Sequence, residues 1–375
     1  MNQIGVGEYA KSGVDYAKIT GFKSAMVEMG RRTLDFPRRR GVKVFHDGRY
    51  LYEGEPYRFK NVTEGLGNKN WIASWMERYA GDGRSYHEGI GIDTMRMATN
   101  DLLPFRALPV IYTDEVAAGK DSWFMESPRR MADVVESYYR GCQEDGCALT
   151  QGESPALKYL INTLPEPGLA EPAFHCPSFS GCATGVIAGN ALNFQNLVGP
   201  GDVILGVPSS DWHCNGASLI IRKAMELPDK FLTKLPNGKT LGEQAITVTQ
   251  SYVPLVEALL DADVEIHRFQ PITGAGIAKL AIYNAPFRYR IHTWLPIPPV
   301  CDFMRQQFGL SVEDAYITFN MGVGFCLIVP KARADRMQTI GKHCGYNLDP
   351  IGEVIEGDGD VVLEHEGGIV LHPPK

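Results

Sequence analysis

The run Gly201–Lys223, GDVILGVPSSDWHCNGASLIIRK, constrains this chain more than any other stretch. Val203–Val207 is a short apolar run that reads as a buried strand, Ser209-Ser210 open a polar turn, and Ala217–Lys223 has the apolar spacing of a helix. Between them, Asn215-Gly216 supplies a residue able to take positive φ. Such a strand–loop–helix layout leaves backbone N–H groups, a histidine and an asparagine at the mouth of a sheet, where ligands bind in open α/β architectures. The same residues also fit an ordinary βα connection.

At 375 residues the chain exceeds one typical domain, and two domains are expected, 1–170 and 171–375. Its 40 Gly and 24 Pro are spread along the sequence, which points to many tight turns rather than to disorder. A net charge of −7 gives no overall attraction to nucleic acid or to an anionic membrane, so a phosphorylated ligand would need a local basic site. No apolar run has the length of a membrane span, and the N-terminus lacks the apolar core of a signal peptide. The eight Cys contain no CxxC pair, Cys142 and Cys147 being the closest, which suits reduced thiols and a cytoplasmic location.

The alternation of Val42–Tyr52 about Asp47-Gly48 predicts a hairpin, and Arg58–Val62 a further strand running into a Gly-rich turn. Helices are expected over Asn70–Tyr79 and Thr94–Leu103, with an apolar strand at Leu108–Tyr112. Ser127-Pro128 reads as the N-cap and first turn of an amphipathic helix whose face carries Met131, Val134, Val135 and Tyr138. Pro-rich Leu164–Pro177 is the expected interdomain connection. Beyond it, Phe179–Ala188, Val203–Val207 and Gly324–Val329 read as strands, and Tyr252–Leu260 and Ala332–His343 as helices. Ile351–Leu371 is expected to be two strands turning at Asp358-Gly359. The irregular alternation of elements argues for an α+β fold rather than an orderly doubly wound sheet.

Several short motifs can carry chemistry. Thr63–Lys69, TEGLGNK, leaves a strand and enters a helix; its two Gly let backbone approach an anion, and Lys69 can reach a phosphate oxygen. The Gly spacing is not that of a Walker A loop, and an inert turn is the competing reading. Asn100-Asp101 offers an amide and a carboxylate together, suited to Mg²⁺ on nucleotide phosphates or to a solvated helix end. Glu153, after Gln151-Gly152, fits a metal ligand, a general base or an exposed loop residue, and Asp114 shares that ambiguity. Thr273-Gly274-Ala275-Gly276 is a phosphate turn or a helix cap, and Phe319–Gly324 a tight entry to a buried strand. His213 stands out among nine His because it lies in the loop at a strand's carboxyl end, where an imidazole can exchange protons near neutral pH. No HExxH, paired-Cys or Ser-His-Asp motif is present, which disfavours zinc enzymes and hydrolases.

These motifs occur in one order that resembles the aminoimidazole ribonucleotide synthetase family. SSDWHCNGASL at Ser209–Leu219 is similar to its Ser-Ser-Gly-x-His-Ser-Asn-Gly-Tyr-Ser-Leu signature, and TEGLGNK to its Thr-Asp-Gly-Val-Gly-Thr-Lys. Gly13-Val14-Asp15, GIDTMRMATNDLL at Gly91–Leu103, QGES at Gln151–Ser154, ITGAG at Ile272–Gly276 and TFNMGVG at Thr318–Gly324 extend the likeness over nearly the whole chain. The resemblance implies an N-terminal β-rich domain that forms a shared barrel in a homodimer, followed by a C-terminal α/β sandwich. It also implies ATP-dependent closure of formylglycinamidine ribonucleotide to aminoimidazole ribonucleotide, a purine-pathway step, with no nucleic-acid or membrane partner.

On that resemblance, Glu64, Asp101 and Glu153 would hold Mg²⁺ with ATP, with K⁺ as a candidate further ion. Lys69 would meet phosphate; Gly65, Gly67, Asn68, Asn100, Thr273, Gly274 and Gly276 would line the nucleotide or ribose phosphate. His213 and Asn215 would orient the substrate or move its proton. The chain departs from the family pattern at Glu64 for Asp and at Asn68 for Thr, and inserts residues near Gly81–His87. The family's Pro-Thr-Arg-Ile-Tyr-Val-Lys reads Val248–Pro254 here, so both cations are lost, at Gln250 and Pro254. An ATP-using paralogue, such as a small-molecule kinase or a selenophosphate synthetase-like enzyme, and a non-catalytic nucleotide-binding subunit are the alternative readings.

Overall fold

A computed structural model describes residues 16–46, 50–53, 58–166, 168–187, 197–283 and 285–373. Gly13-Val14-Asp15 and the Asp47-Gly48 turn lie outside the described residues. The chain divides into two units: one takes the chain up to Thr99 and Pro109–Val186, the other Asn100–Leu108 and the chain from Ile187 onward.

The first unit opens with helix α1 (Tyr16–Arg31) and strands β1 (Val42–Val44) and β2 (Tyr50–Tyr52). These two strands pair antiparallel with Val42 opposite Tyr52, as their alternation predicts. β3 (Arg58–Gly65), α2 (Lys69–Tyr79), α3 (Ile90–Leu102), β4 (Ala107–Ala117), α4 (Pro128–Asp145), β5 (Ala148–Glu153) and β6 (Ser178–Ile187) follow. The last three residues of α3 and the first two of β4 count with the second unit. A four-stranded sheet has the order β3-β6-β4-β5, with β4 and β5 parallel.

Helix α4 shows how local signals set an element. The Ser127 hydroxyl accepts from the Arg130 N–H at 3.2 Å, Pro128 sits in the first turn, and Gly146 ends the helix at φ +69°. Its buried face carries Met131, Val134, Tyr138 and Cys142. The inserted residues near Gly81–His87 dock on this helix: Arg129 donates to the Gly83 carbonyl at 2.8 Å and Ser85 to Asp133 at 2.5 Å. His87 is fully buried there, and desolvation, with Arg130 nearby, holds its imidazole neutral down to about 3. The strand that follows the Pro-rich Leu164–Pro177 segment, β6, joins the first unit's sheet.

The second unit contains β7 (Asp202–Pro208), α5 (Ala217–Ala224), α6 (Val253–Asp261), β8 (Arg268–Pro271), β9 (Phe287–Ile291), α7 (Pro299–Phe308), α8 (Val312–Thr318), β10 (Val323–Pro330), α9 (Ala334–His343), β11 (Asp349–Glu356), β12 (Asp360–Leu363) and β13 (Ile369–Leu371). Its seven-stranded sheet runs β13-β12-β9-β11-β7-β10-β8, and of its neighbouring pairs only β12–β9 is parallel. The expected terminal hairpin is therefore not formed: β11 and β12 both pair with β9, which lies between them. Alternation specifies which face of a strand is buried but not its neighbour, so the tail accommodates β9 with no change in pattern. Leu205, Val207, Phe325, Leu327 and Val329 of the sheet form one core with Val253, Val256 and Leu259 of α6 and Met337 of α9.

Candidate functional site

Three motifs that are far apart in sequence meet at one end of the second sheet. β10 runs antiparallel to both β7 and β8, with Val323 opposite Pro208 and Phe325 opposite Pro271. The loops leaving β7 and β8 therefore emerge beside the loop that enters β10. Hydrogen bonds tie them together: Ser209 N–H to the Gly322 carbonyl at 2.9 Å, Asn320 amide to the Asp211 carbonyl at 2.8 Å, and Ile272 N–H to the Gly324 carbonyl at 3.0 Å. Asp211 and Trp212 anchor the first loop, the Trp212 indole donating to the Ala245 carbonyl at 2.8 Å.

His213 is held in this loop at φ +65°, a left-handed conformation unfavourable for a residue with a Cβ, and is only 5% exposed. Gly324 makes room for its ring. A Cβ on Gly324 would lie 2.7 Å from His213 Cε1 and 1.8 Å from the Tyr252 hydroxyl. That hydroxyl donates to the Pro208 carbonyl at 3.2 Å, fixing Tyr252 beneath the histidine. Asn215 has its amide oxygen 4.0 Å from where a Cβ on Gly274 would stand. Gly274 is exposed, so its backbone faces open space beside that amide.

Asn100 belongs to the same cluster but has structural work. Its amide donates to the Gln250 carbonyl at 3.1 Å and accepts from the Tyr252 N–H at 3.1 Å, fixing the segment that leads into α6. Asp101 lies next to it. Its Oδ2 is 3.8 Å from the Lys279 ammonium, while its buried Oδ1 has no hydrogen-bond partner. Burial pushes the Asp101 carboxyl upward, against the opposing pull of Lys279. Lys279 also donates to the Thr273 hydroxyl. Lys279 had no motif to mark it; only the fold brings it to Asp101. Gly276, expected to line a ligand, also has a packing reason: a Cβ there would lie 1.9 Å from the Tyr316 carbonyl oxygen.

In the first unit, Gly65, Gly67 and Asn68 are exposed between β3 and α2, and Gly67 takes φ +73° with no atom within 4 Å of where a Cβ would stand. Glu64 is half-buried at the end of β3. Lys69, read from sequence as a phosphate ligand, has a different partner. Its ammonium lies 2.8 Å from Asp93 Oδ2, and both side chains are without solvent exposure. The helical start that suits an anion also turns Lys69 inward, toward α3.

Glu153 is 61% exposed and pairs with Lys23 at 3.1 Å, a hydrogen bond that lowers its carboxyl below the usual range. The neighbouring Gln151 and Gly152 line a cavity of about 170 Å³ together with Lys23, Arg31, His46 and Asp114. Asp114 is the most perturbed carboxyl there. Burial, with Glu115 and Glu153 nearby, pushes it up to about 7, and its Oδ1 has no hydrogen-bond partner. Gly152 is needed beside it, since a Cβ would lie 2.2 Å from that oxygen.

No group of three or more His, Cys, Asp or Glu side chains comes together as a metal site among the described residues. Glu64 and Glu153 belong to the first unit and Asp101 to the second. Mg²⁺ carried on phosphates needs only one or two protein carboxylates, and the orphaned, buried Oδ1 of Asp101 fits that smaller demand.

Residues 199–364 match the family described as AIR synthase related protein, C-terminal domain. The structure is similar to that of HypE from E. coli, with a TM-score of 0.58 and 15% identity over 94% of this chain and 97% of that one. It is similar also to thiamine-monophosphate kinase from Stenotrophomonas maltophilia, with a TM-score of 0.56 and 15% identity over 90% and 95% of the two chains. At these identities the likeness establishes a shared fold of mixed α and β content. In sequence, the phosphoribosylformylglycinamidine cyclo-ligase of Rippkaea orientalis is 32% identical over 313 residues, 80% of this chain and 82% of its own. With that identity over four-fifths of its length, this chain belongs to the phosphoribosylformylglycinamidine cyclo-ligase family, whose members are ATP-dependent ligases.

Proposed function

We propose that the protein closes the imidazole ring of aminoimidazole ribonucleotide from formylglycinamidine ribonucleotide, with ATP as the co-substrate. The γ-phosphoryl group passes to the formyl oxygen and ADP departs. An amidine nitrogen then attacks the formyl carbon, the C–O bond breaks with release of phosphate, and the nitrogen loses a proton. Positioning and charge neutralisation dominate such a reaction, because little covalent chemistry falls to the protein.

The convergence of His213, Asn215 and open Gly274 at one end of the second sheet carries this reading. The Asn215 amide orients the ligand at the Gly274 backbone, and His213 accepts the proton shed by the attacking nitrogen. The strained His213 backbone and its close fit over Gly324 keep the ring in one place. Asp101 would hold Mg²⁺, which when bound neutralises charge on the nucleotide phosphates. Gly65, Gly67 and Asn68 offer exposed backbone to a phosphate in the first unit.

A homodimer is part of the proposal. β3 is an edge strand, and Phe59 on it is 43% exposed beside Tyr50 of β2, itself 46% exposed, with ring centroids 6.3 Å apart. An exposed aromatic edge of this kind invites pairing with a second copy. Incubation with Mg²⁺, ATP and formylglycinamidine ribonucleotide should yield ADP and aminoimidazole ribonucleotide in equal amounts. ADP without the imidazole would favour a kinase-like relative; neither product, with nucleotide bound, would favour a binding subunit.

A further inference from the structure

We infer that the Lys279 ammonium receives a phosphoryl oxygen of a phosphorylated ligand, with Asp101 and Thr273 positioning it. The inference rests on the reading that the second unit's loops take such a ligand. An ammonium has three donors. Thr273 accepts one, and Asp101, at 3.8 Å, is an ion-pair neighbour too distant for a normal hydrogen bond. Two donors therefore have no protein acceptor among the described residues. The side chain is 19% exposed, so its head reaches solvent while its stem is packed.

The surroundings suit an anion. The exposed Gly274 backbone follows Thr273 directly. The 3.8 Å contact aims the ammonium without consuming its hydrogen bonds. A lysine serving only to neutralise Asp101 would be expected to close on the partnerless Oδ1, as Lys69 closes to 2.8 Å on Asp93. Removing the Lys279 charge acts twice, since it deletes a donor and leaves the Asp101 carboxylate facing the incoming anion.

The shared chemistry is a phosphate oxygen, from the triphosphate of ATP or from a ribose 5′-phosphate. Calorimetric titration of the whole protein with Mg²⁺–ATP and, separately, with formylglycinamidine ribonucleotide separates the two. K279Q should weaken one of them by about 10- to 100-fold, the span of a charge-assisted hydrogen bond. K279R should stay within about fivefold of the parent, with thermal midpoints unchanged in both variants. Loss for ATP alone assigns the triphosphate, and loss for the ribonucleotide alone the ribose phosphate. Binding of both ligands to K279Q within twofold of the parent overturns the inference. So does a K279R protein that loses affinity as K279Q does while melting earlier, because the role is then structural. Product formation by the parent protein is scored separately. Turnover with no effect of K279Q sinks only this inference, and Lys279-dependent binding without turnover sinks the cyclo-ligase reading and leaves this one standing.

Discussion

The Asp114 carboxyl sets a pH dependence that Asp114→Asn should remove. Its folded value of about 7 stands against an ordinary value of 3.8. Between those limits the folded protein holds a proton that the unfolded chain releases. Stability from this group is thus complete below the unfolded value and is lost as pH rises through the folded one. The difference corresponds to about 4 kcal/mol in full, of which about 3 kcal/mol falls between pH 5 and pH 8. Asn is isosteric with the protonated acid and cannot ionise, so it also removes the repulsion from Glu115 and Glu153 that adds to the burial. The variant should match the parent more closely at pH 5 and exceed it in stability at pH 8. Hydrogen exchange of the β4 and β5 amides in both proteins at the two pH values reads this in the first unit alone, without assuming two-state unfolding of a two-unit chain. A stability difference that stays constant within about 0.5 kcal/mol between the two pH values, or narrows toward pH 8, would refute the reasoning.

Three further outcomes are expected. Lys69→Met should destabilise the first unit by roughly 3–5 kcal/mol in urea unfolding, because it strands a buried Asp93, and Asp93→Asn in the same background should recover part of the loss. His213→Ala should lower kcat by about 10²- to 10⁴-fold, and His213→Gly should be more stable than His213→Ala by about 1 kcal/mol, since only glycine relieves the φ of +65°. Gly324→Ala should lower thermal stability by about 1–3 kcal/mol and lower kcat together, with Tyr252→Phe restoring stability in part, because the new Cβ falls on the Tyr252 hydroxyl.

What could be read from the residues was local. Ser127-Pro128 and Gly146 mark both ends of α4, and the apolar run before Ser209 with Asn215-Gly216 after it marks strand, loop and helix. The pairing of β11 and β12 with β9 was not readable, because a strand's alternation carries no address for its neighbour. Lys69 and Lys279 show the same limit in the site. Lys69 follows two glycines at a helix start, a pattern that suggests phosphate, yet its ammonium goes to Asp93. Lys279 lies beyond the Thr273–Gly276 turn and outside that motif, and its acidic neighbour, Asp101, comes from a distant part of the chain. Charge partners depend on tertiary contacts, and those are invisible to motif spacing.

The two cations missing at Gln250 and Pro254 gain a physical reading from this arrangement. Gln250 offers its backbone carbonyl to Asn100, and Pro254 occupies the first turn of α6, where its missing N–H costs nothing. The segment is thus retained as a scaffold while its side chains carry no charge. Asn100 binds that segment, and the next residue, Asp101, faces the Lys279 ammonium. A positive charge is therefore present in the same cluster, supplied from the turn after β8 rather than from the segment before α6. Because Coulomb attraction depends on where a charge sits and not on which strand delivers it, loss of the two cations does not by itself remove the capacity to hold a phosphate. On the proposed contact at Lys279, the point of attachment would lie near Thr273 and Gly274, and ligand orientation is where this chain is expected to differ most from chains with the family pattern at those two positions.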